Sequence, residues 1–374
     1  MAIKRAKRAT LKDIARIAGV SSTAVSLVLN NKPNRFTEET RDHIRAIARD
    51  LNYVPNQSAR NLATHSSSLL ALIIPDIENL FFVSLAKHLE EECKKNGYSL
   101  LVVDSGEDVK EQESALRRMV QLGIDGLFMV PAKGTSARNE KLRQFLSNLD
   151  FPVIFIDRIP DLTPSHAETG QGAMAASSAE SSKEHGKNNW AALAYDHRMG
   201  GRMAAEYLVS KGHQRFGYIG PVEPANKDSR NNTERFEGFV EGLNQRGITI
   251  EPACLVSSGF SVSEGSKHAD DLIDAGVTAV FCGNDLIAIG FSRRARERGI
   301  RIPEDISIIG YDDVMPAFGL DFDITSMRQN VADLAQRGFA MMKAYRATQL
   351  VSQERITLLE PQLIERSTVS TIEA

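Results

Sequence analysis

The sequence has few of the features that mark secreted, membrane-spanning or metal-binding proteins. Its three cysteines, Cys93, Cys254 and Cys282, lie far apart without CxxC spacing. This excludes a disulfide scaffold and a zinc finger and favours the reducing cytoplasm. The longest clean apolar run, Leu69 to Ile74, is far shorter than the ~20 residues of a membrane span. The basic first residues lead into no apolar segment, so we expect neither a signal peptide nor a membrane partner.

Catalytic and cofactor motifs are equally scarce. The eight histidines show no HxxxH or HExxH spacing, and there is neither a GxSxG elbow nor a phosphate-binding loop. Residues 170–175 have GxGxxA spacing, but they follow Pro, Ser and His instead of a strand, so the structural context of that motif fails. We therefore expect no catalytic residue, no metal and no cofactor, and a protein that is not an enzyme.

The composition is that of an ordinary globular protein with an uneven charge distribution. Hydrophobic residues make up 42% and charged residues 25% of the 374 residues, enough chain for two or three domains at ~150 residues each. Residues 1–65 hold twelve lysines and arginines against five acids, a net charge of +7, which leaves −10 on the remainder of a chain whose total is −3. The basic head indicates a polyanionic partner; the alternative is a solvated basic face.

Three short helices are predicted in the basic head. The first follows Thr10, whose hydroxyl precedes an acid by three residues, the capping-box spacing, and it ends at Gly19. The second begins after a very short turn and is capped by Ser21 or Ser22, and the third begins after Thr37. Two helices joined through a glycine-containing turn, with a third packed on them, indicate a helix-turn-helix unit; a generic three-helix bundle is the alternative.

The second of these helices is predicted to read DNA bases. In a helix-turn-helix unit this helix enters the major groove, and its outward positions here are Ser22, Thr23, Ser26, Leu27 and Asn30. The hydroxyls can donate or accept hydrogen bonds at base edges, whereas a leucine can only pack on a thymine methyl. Beyond it, residues 57–64 predict a short helix capped by Asn56, marginal in isolation, and a polar linker follows.

Residues 10–64, TLKDIARIAGVSSTAVSLVLNNKPNRFTEETRDHIRAIARDLNYVPNQSARNLAT, resemble the headpiece of the lac-repressor (LacI/GalR) family of bacterial transcription regulators. The resemblance implies a hinge helix that enters the minor groove in a dimer, with Leu62 as the wedge between base pairs and Arg60 near the backbone. The candidate DNA-contacting residues are Thr10, Ser21, Ser22, Thr23, Ser26, Leu27, Asn30, Arg35, Tyr53, Asn56, Arg60, Leu62 and Ala63.

The acidic body alternates apolar runs with helical segments. Strands are predicted at 69–74, 99–104, 126–130, 153–157, 190–195, 215–220, 254–259, 279–283 and 306–312. Continuous apolar strands separated by helices indicate doubly wound parallel sheets. Because there are too many strands for one such sheet, with a break at 158–189, we predict two α/β lobes. The fold class is thus an all-α helix-turn-helix headpiece plus an α/β core of two doubly wound lobes.

Polar and aromatic residues follow several of these strands, where open α/β sheets bind their ligands. Acids and amides that accept hydroxyls, an arginine fork and aromatic faces suit a polyhydroxylated or nucleoside-like molecule. Each residue could instead be a helix cap or a surface ion pair, and Asp196 and Asp285 are the strongest candidates for caps. The candidate effector-binding residues are Phe81, Phe82, Asp157, Arg158, Asp196, Arg235, Phe260, Asn284 and Asp312.

The body also resembles the periplasmic-binding-protein-like effector domain of the same family, through IIPDIENLFF, RFEGF, TAVFCGNDLIAIG and IPEDISIIGYDD. The resemblance places seven of those candidates in the effector pocket and implies a sugar-like effector. The predicted boundaries are 1–55 for the headpiece, 56–68 for the hinge and 69–374 for the two-lobed domain. Lobe one takes about 69–160 and 328–358, with helix 331–348; lobe two takes about 190–325 and 359–368, and the chain crosses back near Thr325 and Ser326.

Residues 161–189, rich in Ser, Ala and Gly, form a longer segment than the short loop that the resemblance implies at this place. A loop of this length is either functional or disordered; we hypothesise a flap near the lobe crossover, with a tolerated surface insertion as the alternative.

Together these features predict a repressor that binds a pseudo-palindromic operator in double-stranded DNA as a homodimer, under control of a small-molecule effector. Only eight residues follow Arg366, too few for a heptad helix, so a dimer is expected rather than a tetramer. A solute-binding protein would lack the basic head, and an α/β enzyme would need a nucleophile, a metal site or a cofactor loop.

Overall fold

The structure is a computed structural model that describes residues 9–53, 66–132, 136–160, 162, 189–222, 230–319, 323–348 and 355–372. The chain divides into two compact units, residues 1–67 and 68–374.

The first unit contains three helices: α1 (Leu11–Ala18), α2 (Ser22–Leu29) and α3 (Glu38–Asp50). Thr10 and Asp13 form the predicted capping box of α1, and Gly19 ends this helix in the left-handed conformation that glycine accepts without strain. Of the two candidate caps of α2, Ser21 is the one used: its hydroxyl oxygen accepts the Ala24 amide at 3.1 Å.

One small hydrophobic core joins the three helices. Ile14, Val25, Val28 and Ile44 are at most 1% exposed, and Tyr53 packs at the edge of the same cluster. The apolar side of α2 faces this core as predicted, so its small polar side faces outward.

The second unit contains twelve strands and eight α-helices among its described residues. The strands are β1 (Leu69–Ile74), β2 (Ser99–Asp104), β3 (Gly126–Met129), β4 (Val153–Ile156), β5 (Trp190–Tyr195), β6 (Phe216–Gly220), β7 (Leu255–Ser257), β8 (Ala279–Cys282), β9 (Ser307–Asp312), β10 (Thr325–Arg328), β11 (Ile356–Leu359) and β12 (Gln362–Ile364). The helices are α4 (Leu80–Lys95), α5 (Val109–Leu122), α6 (Ser136–Ser147), α7 (His197–Ser210), α8 (Arg230–Asn244), α9 (Val262–Asp274), α10 (Asp285–Glu297) and α11 (Val331–Thr348).

The strands form two six-stranded sheets, one in each lobe. The sheet of lobe one has the order β11-β5-β4-β3-β1-β2, with every described pair parallel. The sheet of lobe two has the order β12-β10-β9-β8-β6-β7, parallel except for the β10–β12 pair. Helices cover both faces of the central strands, which explains why those strands are continuously apolar, whereas the edge strands β2 and β11 are partly exposed.

The fifth strand lies in the other lobe from the one predicted. Residues 190–195 pair in parallel with β4 and β11 in the sheet of lobe one, whereas the sequence assigned them to lobe two. An apolar strand is compatible with either sheet, and the long preceding segment suggested a lobe boundary that is not there. Segment 161–189 therefore joins two neighbouring strands of one sheet.

The chain passes between the lobes at three places. It leaves lobe one after Tyr195, returns after Arg328 and leaves again between β11 and β12. The return is later than predicted, because Thr325 and Ser326 still belong to β10, in the sheet of lobe two. Helix α11 packs in the core of lobe one, as expected.

Two predicted features lie outside the described residues. The first is the hinge helix, within residues 54–65, and the second is the proposed flap, of which only Leu162 and Asn189 are described. Within the described ranges, no helix is long and apolar enough to cross a membrane.

Candidate functional site

The outward side of α2 presents small polar groups. Ser22 and Thr23 are exposed, while Ser26 and Leu27 are partly exposed one turn later. The Asn30 amide donates to the Ser26 carbonyl at 2.8 Å. These residues therefore form one narrow surface without charge, suited to base edges instead of phosphates.

The other described DNA candidates have different surroundings. Thr10 and Ser21 accept backbone hydrogen bonds at the starts of α1 and α2, Arg35 is exposed, and Tyr53 is partly buried, which raises the pKa of its hydroxyl. The remaining four candidates, Asn56, Arg60, Leu62 and Ala63, lie outside the described residues.

A cleft in the second unit brings eight of the nine effector candidates together. Its enclosed volume is about 30 Å³. The eight candidates are Phe81, Phe82, Asp157, Arg158, Arg235, Phe260, Asn284 and Asp312, and Asn79 and His197 also line the cleft.

Arg235, on α8, is the centre of the polar network in this cleft. It is only 9% exposed; its Nη2 lies 3.1 Å from Asp312 Oδ1, and its Nη1 donates to the Gly283 carbonyl at 2.6 Å. Its guanidinium carbon lies 3.7 Å from the centre of the Tyr311 ring. An ion pair, a backbone acceptor and an aromatic face thus fix the guanidinium in one orientation.

His197, the first residue of α7, links this network to lobe one. Its Nδ1 accepts the Arg235 Nε–H at 3.3 Å, and because arginine can only donate, this assigns the ring proton to Nε2. Nε2 lies 3.5 Å from Asp157 Oδ1, at the end of β4. The Asp157–His197 contact therefore spans the two lobes.

The two cleft carboxylates are perturbed in opposite directions. Burial opposes ionisation of Asp157, but His197 and the charges of Arg235 and Arg158 outweigh it and lower its pKa. Burial raises the pKa of Asp312, assisted by the Asp157 charge and opposed by Arg235. Asp157 Oδ1 is buried and has no hydrogen-bond partner among the described residues. The cleft thus offers an ionised acceptor to a ligand that carries a donor.

Aromatic rings and arginine complete the walls. Phe81 and Phe82, at the start of α4, meet edge to face with ring centres 5.4 Å apart. Arg158 lies 5.8 Å over the Phe82 ring and forms an ion pair with Glu107. Phe260 lies 5.9 Å from the Arg235 guanidinium on the other side of the cleft.

Comparison with known proteins gives matches over the first unit, over part of the second unit and over nearly the whole chain. Residues 10–56 match the family described as bacterial regulatory proteins, lacI family, and residues 205–369 match a periplasmic binding protein-like domain. The HTH-type transcriptional repressor PurR of Pectobacterium carotovorum subsp. carotovorum (strain PC1) is 30% identical over 364 residues, with 97% of each chain covered. The chain belongs to the lacI family of bacterial regulatory proteins.

Other relatives agree with this assignment to the lacI family. The repressor PurR of Vibrio atlanticus (strain LGP32) is 29% identical over 97% of this chain and 99% of its own. The lac repressor dimer, solved with operator and the anti-inducer ONPF, shares the fold at a TM-score of 0.77 and 23% identity, covering 97% of this chain and 100% of that one. This lacI-family chain is a transcriptional repressor with a DNA-binding helix-turn-helix domain.

A third comparison involves a sugar complex. A LacI family regulator from Enterococcus faecium, solved with bound ribose, is 25% identical, with a TM-score of 0.63 over 82% of this chain and 100% of that one.

At the start of α7, the structure differs from the predicted set of cleft residues at two positions. Asp196 does not line the cleft; its carboxylate accepts the Met199 amide at 2.7 Å and caps α7, the alternative that the sequence left open. His197, which was not predicted, lines the cleft in its place. The available signal was its position directly after a strand end, one residue beyond the one chosen.

Behind the cleft of this repressor, Asp285 is buried at the first position of α10. Its Oδ1 accepts the Ser326 hydroxyl at 2.7 Å, and its Oδ2 accepts the Val314 amide at 3.2 Å. Burial, followed by the charges of Asp312 and Asp313, raises its pKa from 3.8 to about 8.

This raised pKa predicts a pH-dependent stability. The unfolded chain loses the Asp285 proton near pH 3.8, while the folded protein keeps it up to about pH 8. The contribution of Asp285 to stability is therefore fully present below pH 3.8 and is lost as the pH rises through about 8. Between these two values, the free energy of unfolding falls by at most about 1.4 kcal/mol per pH unit. We expect urea denaturation, followed by circular dichroism from pH 5 to 8, to show a steeper loss for the wild type than for Asp285→Asn. Equal slopes would contradict the buried proton.

Proposed function

We propose that this protein binds a pseudo-palindromic operator as a homodimer and that a polyhydroxylated, sugar-like molecule in the inter-lobe cleft controls this binding. The observation that carries the proposal is Asp157 Oδ1, a buried acceptor whose contact with His197 Nε2 is long, at 3.5 Å, and meets no hydrogen-bond criterion. A ligand hydroxyl can donate to this oxygen, and other ligand oxygens can accept from Arg235. Phe81 and Phe260 line the cleft, and a sugar or a planar ring can stack on such aromatic side chains.

The effector class is tested by a thermal-shift screen of the intact protein against pentoses, hexoses and nucleobases. We expect stabilisation by one or more sugars, because a ligand that binds the folded state raises its stability by mass action. The ribose complex of the Enterococcus faecium relative makes ribose the first compound to test. Stabilisation by nucleobases alone would overturn the sugar assignment and leave the cleft as the ligand site.

Control of the operator requires a connection between the cleft and the headpiece. We place it in residues 56–68, where the family resemblance puts a hinge helix with Arg60 near the DNA backbone and Leu62 at the operator centre. A short helix with little stability of its own suits a switch, because a coupling of ~1–3 kcal/mol changes its population.

The division of roles in the headpiece gives a prediction for DNA binding. Ser22→Ala combined with Thr23→Ala is expected to weaken specific operator binding by about 1–3 kcal/mol and to leave non-specific binding unchanged. Lys12→Gln, at an exposed position on α1, is expected to weaken both specific and non-specific binding. It should also reduce the slope of log affinity against log salt concentration by about one. Fluorescence anisotropy at several salt concentrations, with operator and random DNA, measures both effects.

The matched control is Lys87→Gln, an exposed lysine of α4 outside the headpiece. It should change neither the affinity nor the salt slope. If the double alanine variant lost specific and random DNA binding equally, α2 would not be the base-reading helix.

A further inference from the structure

A second cavity lies within lobe one, between α5 and α6. Its volume is about 290 Å³, near the lower end of the ~300–1,000 Å³ typical of small-molecule pockets. Its floor is formed by Pro131 and Ala132, which follow β3. None of the residues that line it lines the cleft between the lobes.

The walls of this lobe-one cavity are mainly apolar. Leu116 of α5 is only 3% exposed, and Leu142 and Phe145 of α6 are half-buried opposite it. Phe145 offers an aromatic surface, and the two leucines offer aliphatic ones. Such walls favour a small ligand with a flat apolar body, because burial of apolar area drives its binding.

One buried amide gives the cavity a polar point. Gln112 is 4% exposed, and its Oε1 accepts the Ala132 amide at 2.6 Å. This bond fixes the orientation of the side-chain amide. Its NH₂ group has no hydrogen-bond partner among the residues that the structure describes. A ligand oxygen in the cavity can therefore accept from Gln112.

The charged residues that line the cavity are mostly positive. Arg117 of α5 and Lys141 of α6 stand against a single carboxylate, Glu113. Within the described part of the chain, neither cation forms an ion pair. Two unpaired cations beside an apolar pocket complement an anionic ligand group.

From this combination we propose that the lobe-one cavity is a second ligand site that takes a small aromatic carboxylate. The ring lies against Leu116, Leu142 and Phe145, and the carboxylate accepts from the Gln112 amide and faces the two cations. This site goes beyond the proposed effector function, since neither its residues nor its ligand class are those of the cleft.

One hydrogen bond links the lobe-one cavity to the cleft. Pro131, on the cavity floor, accepts a hydrogen bond from Arg158 Nη1 through its carbonyl at 3.2 Å, and Arg158 lines the cleft. A ligand in the lobe-one cavity therefore contacts the segment that holds an arginine of the effector site.

Benzoate is the probe for this site, titrated into the intact protein and followed by NMR line broadening of the benzoate protons. We expect saturable binding of benzoate by the wild type. Arg117→Glu and Lys141→Glu should each bind benzoate at least about tenfold more weakly, because a positive charge that attracts the carboxylate is replaced by a negative charge that repels it. Benzyl alcohol, which has the same ring without the charge, is expected to bind at least about tenfold more weakly than benzoate.

Two control variants locate the site. Arg118→Glu makes the same charge change one residue away; Arg118 does not line the cavity and donates to Ser114 Oγ at 3.0 Å. Asp157→Asn alters the cleft alone. Both should bind benzoate as the wild type does. The proposal is overturned if the wild type shows no saturation, if Arg118→Glu weakens binding as much as Arg117→Glu, or if Asp157→Asn abolishes it.

Discussion

Replacement of Gly238 by alanine is expected to destabilise the second unit by about 3 kcal/mol, the upper end of the usual cost of overpacking, because it forces apart two helices whose backbones are in contact. Gly238 lies on α8 where α7 crosses it, and an added Cβ would lie 1.9 Å from the Arg198 carbonyl oxygen. Gly201 makes the reciprocal approach on α7, where a Cβ would lie 2.1 Å from the Arg235 carbonyl oxygen. Neither obstacle is a flexible side chain, so the helices must separate.

The same variant is expected to weaken effector binding. Helix α7 carries His197 and α8 carries Arg235, and their contact depends on the close approach of the two helices. Urea denaturation gives the stability and calorimetry gives the ligand affinity. Gly338→Ala, on α11, is the matched control: its Cβ would meet two side chains and no backbone, the end of Ile156 at 3.2 Å and the Phe128 ring at 3.9 Å. It should be neutral or slightly stabilising, because alanine favours a helix more than glycine. Equal effects of the two substitutions would contradict the packing argument.

Arg235→Leu is expected to reduce the affinity for the ligand found in the screen by about 100-fold or more. The substitution removes a fixed guanidinium and leaves Asp312 buried without its cation, and hydrogen bonds to charged groups contribute about 1.5–3 kcal/mol each. Arg235→Lys keeps the charge and loses the planar fork, so its loss should be smaller. Calorimetry with the intact protein measures both variants.

Arg202→Leu is the control for this prediction. Arg202 lies on α7, is half-exposed, and pairs with Glu241 at 3.5 Å, away from the cleft. Its ligand affinity should match that of the wild type, and circular dichroism should show that all three variants are folded. Undiminished ligand binding by folded Arg235→Leu would place the effector elsewhere.

The headpiece was predictable because its signals are local. Capping side chains, a glycine at the end of α1 and helical spacing of apolar residues act within one or two turns. The alternation of strands and helices likewise gave the fold class. The sheet to which each strand belongs is decided by distant pairing, and β5 was accordingly assigned to the wrong lobe.

The cleft was predictable to the extent that strand ends meet at one edge of a parallel sheet. This rule brought Asp157, Asn284 and Asp312 into one site. It could not distinguish the cap Asp196 from its neighbour His197, since the direction of a side chain at a helix start depends on the backbone turn. The close approach at Gly238 could not be predicted from the sequence either, because a glycine in a helical segment does not indicate which element packs against it.

The most direct test is the operator affinity of the intact protein, measured by fluorescence anisotropy with and without saturating ligand, in the wild type and in Asp157→Asn. We expect ligand to change the wild-type affinity by at least about fivefold, the lower end of typical coupling between sites, and Asp157→Asn to lose most of this response while still binding operator. A wild-type affinity that is the same with and without saturating ligand would contradict this expectation.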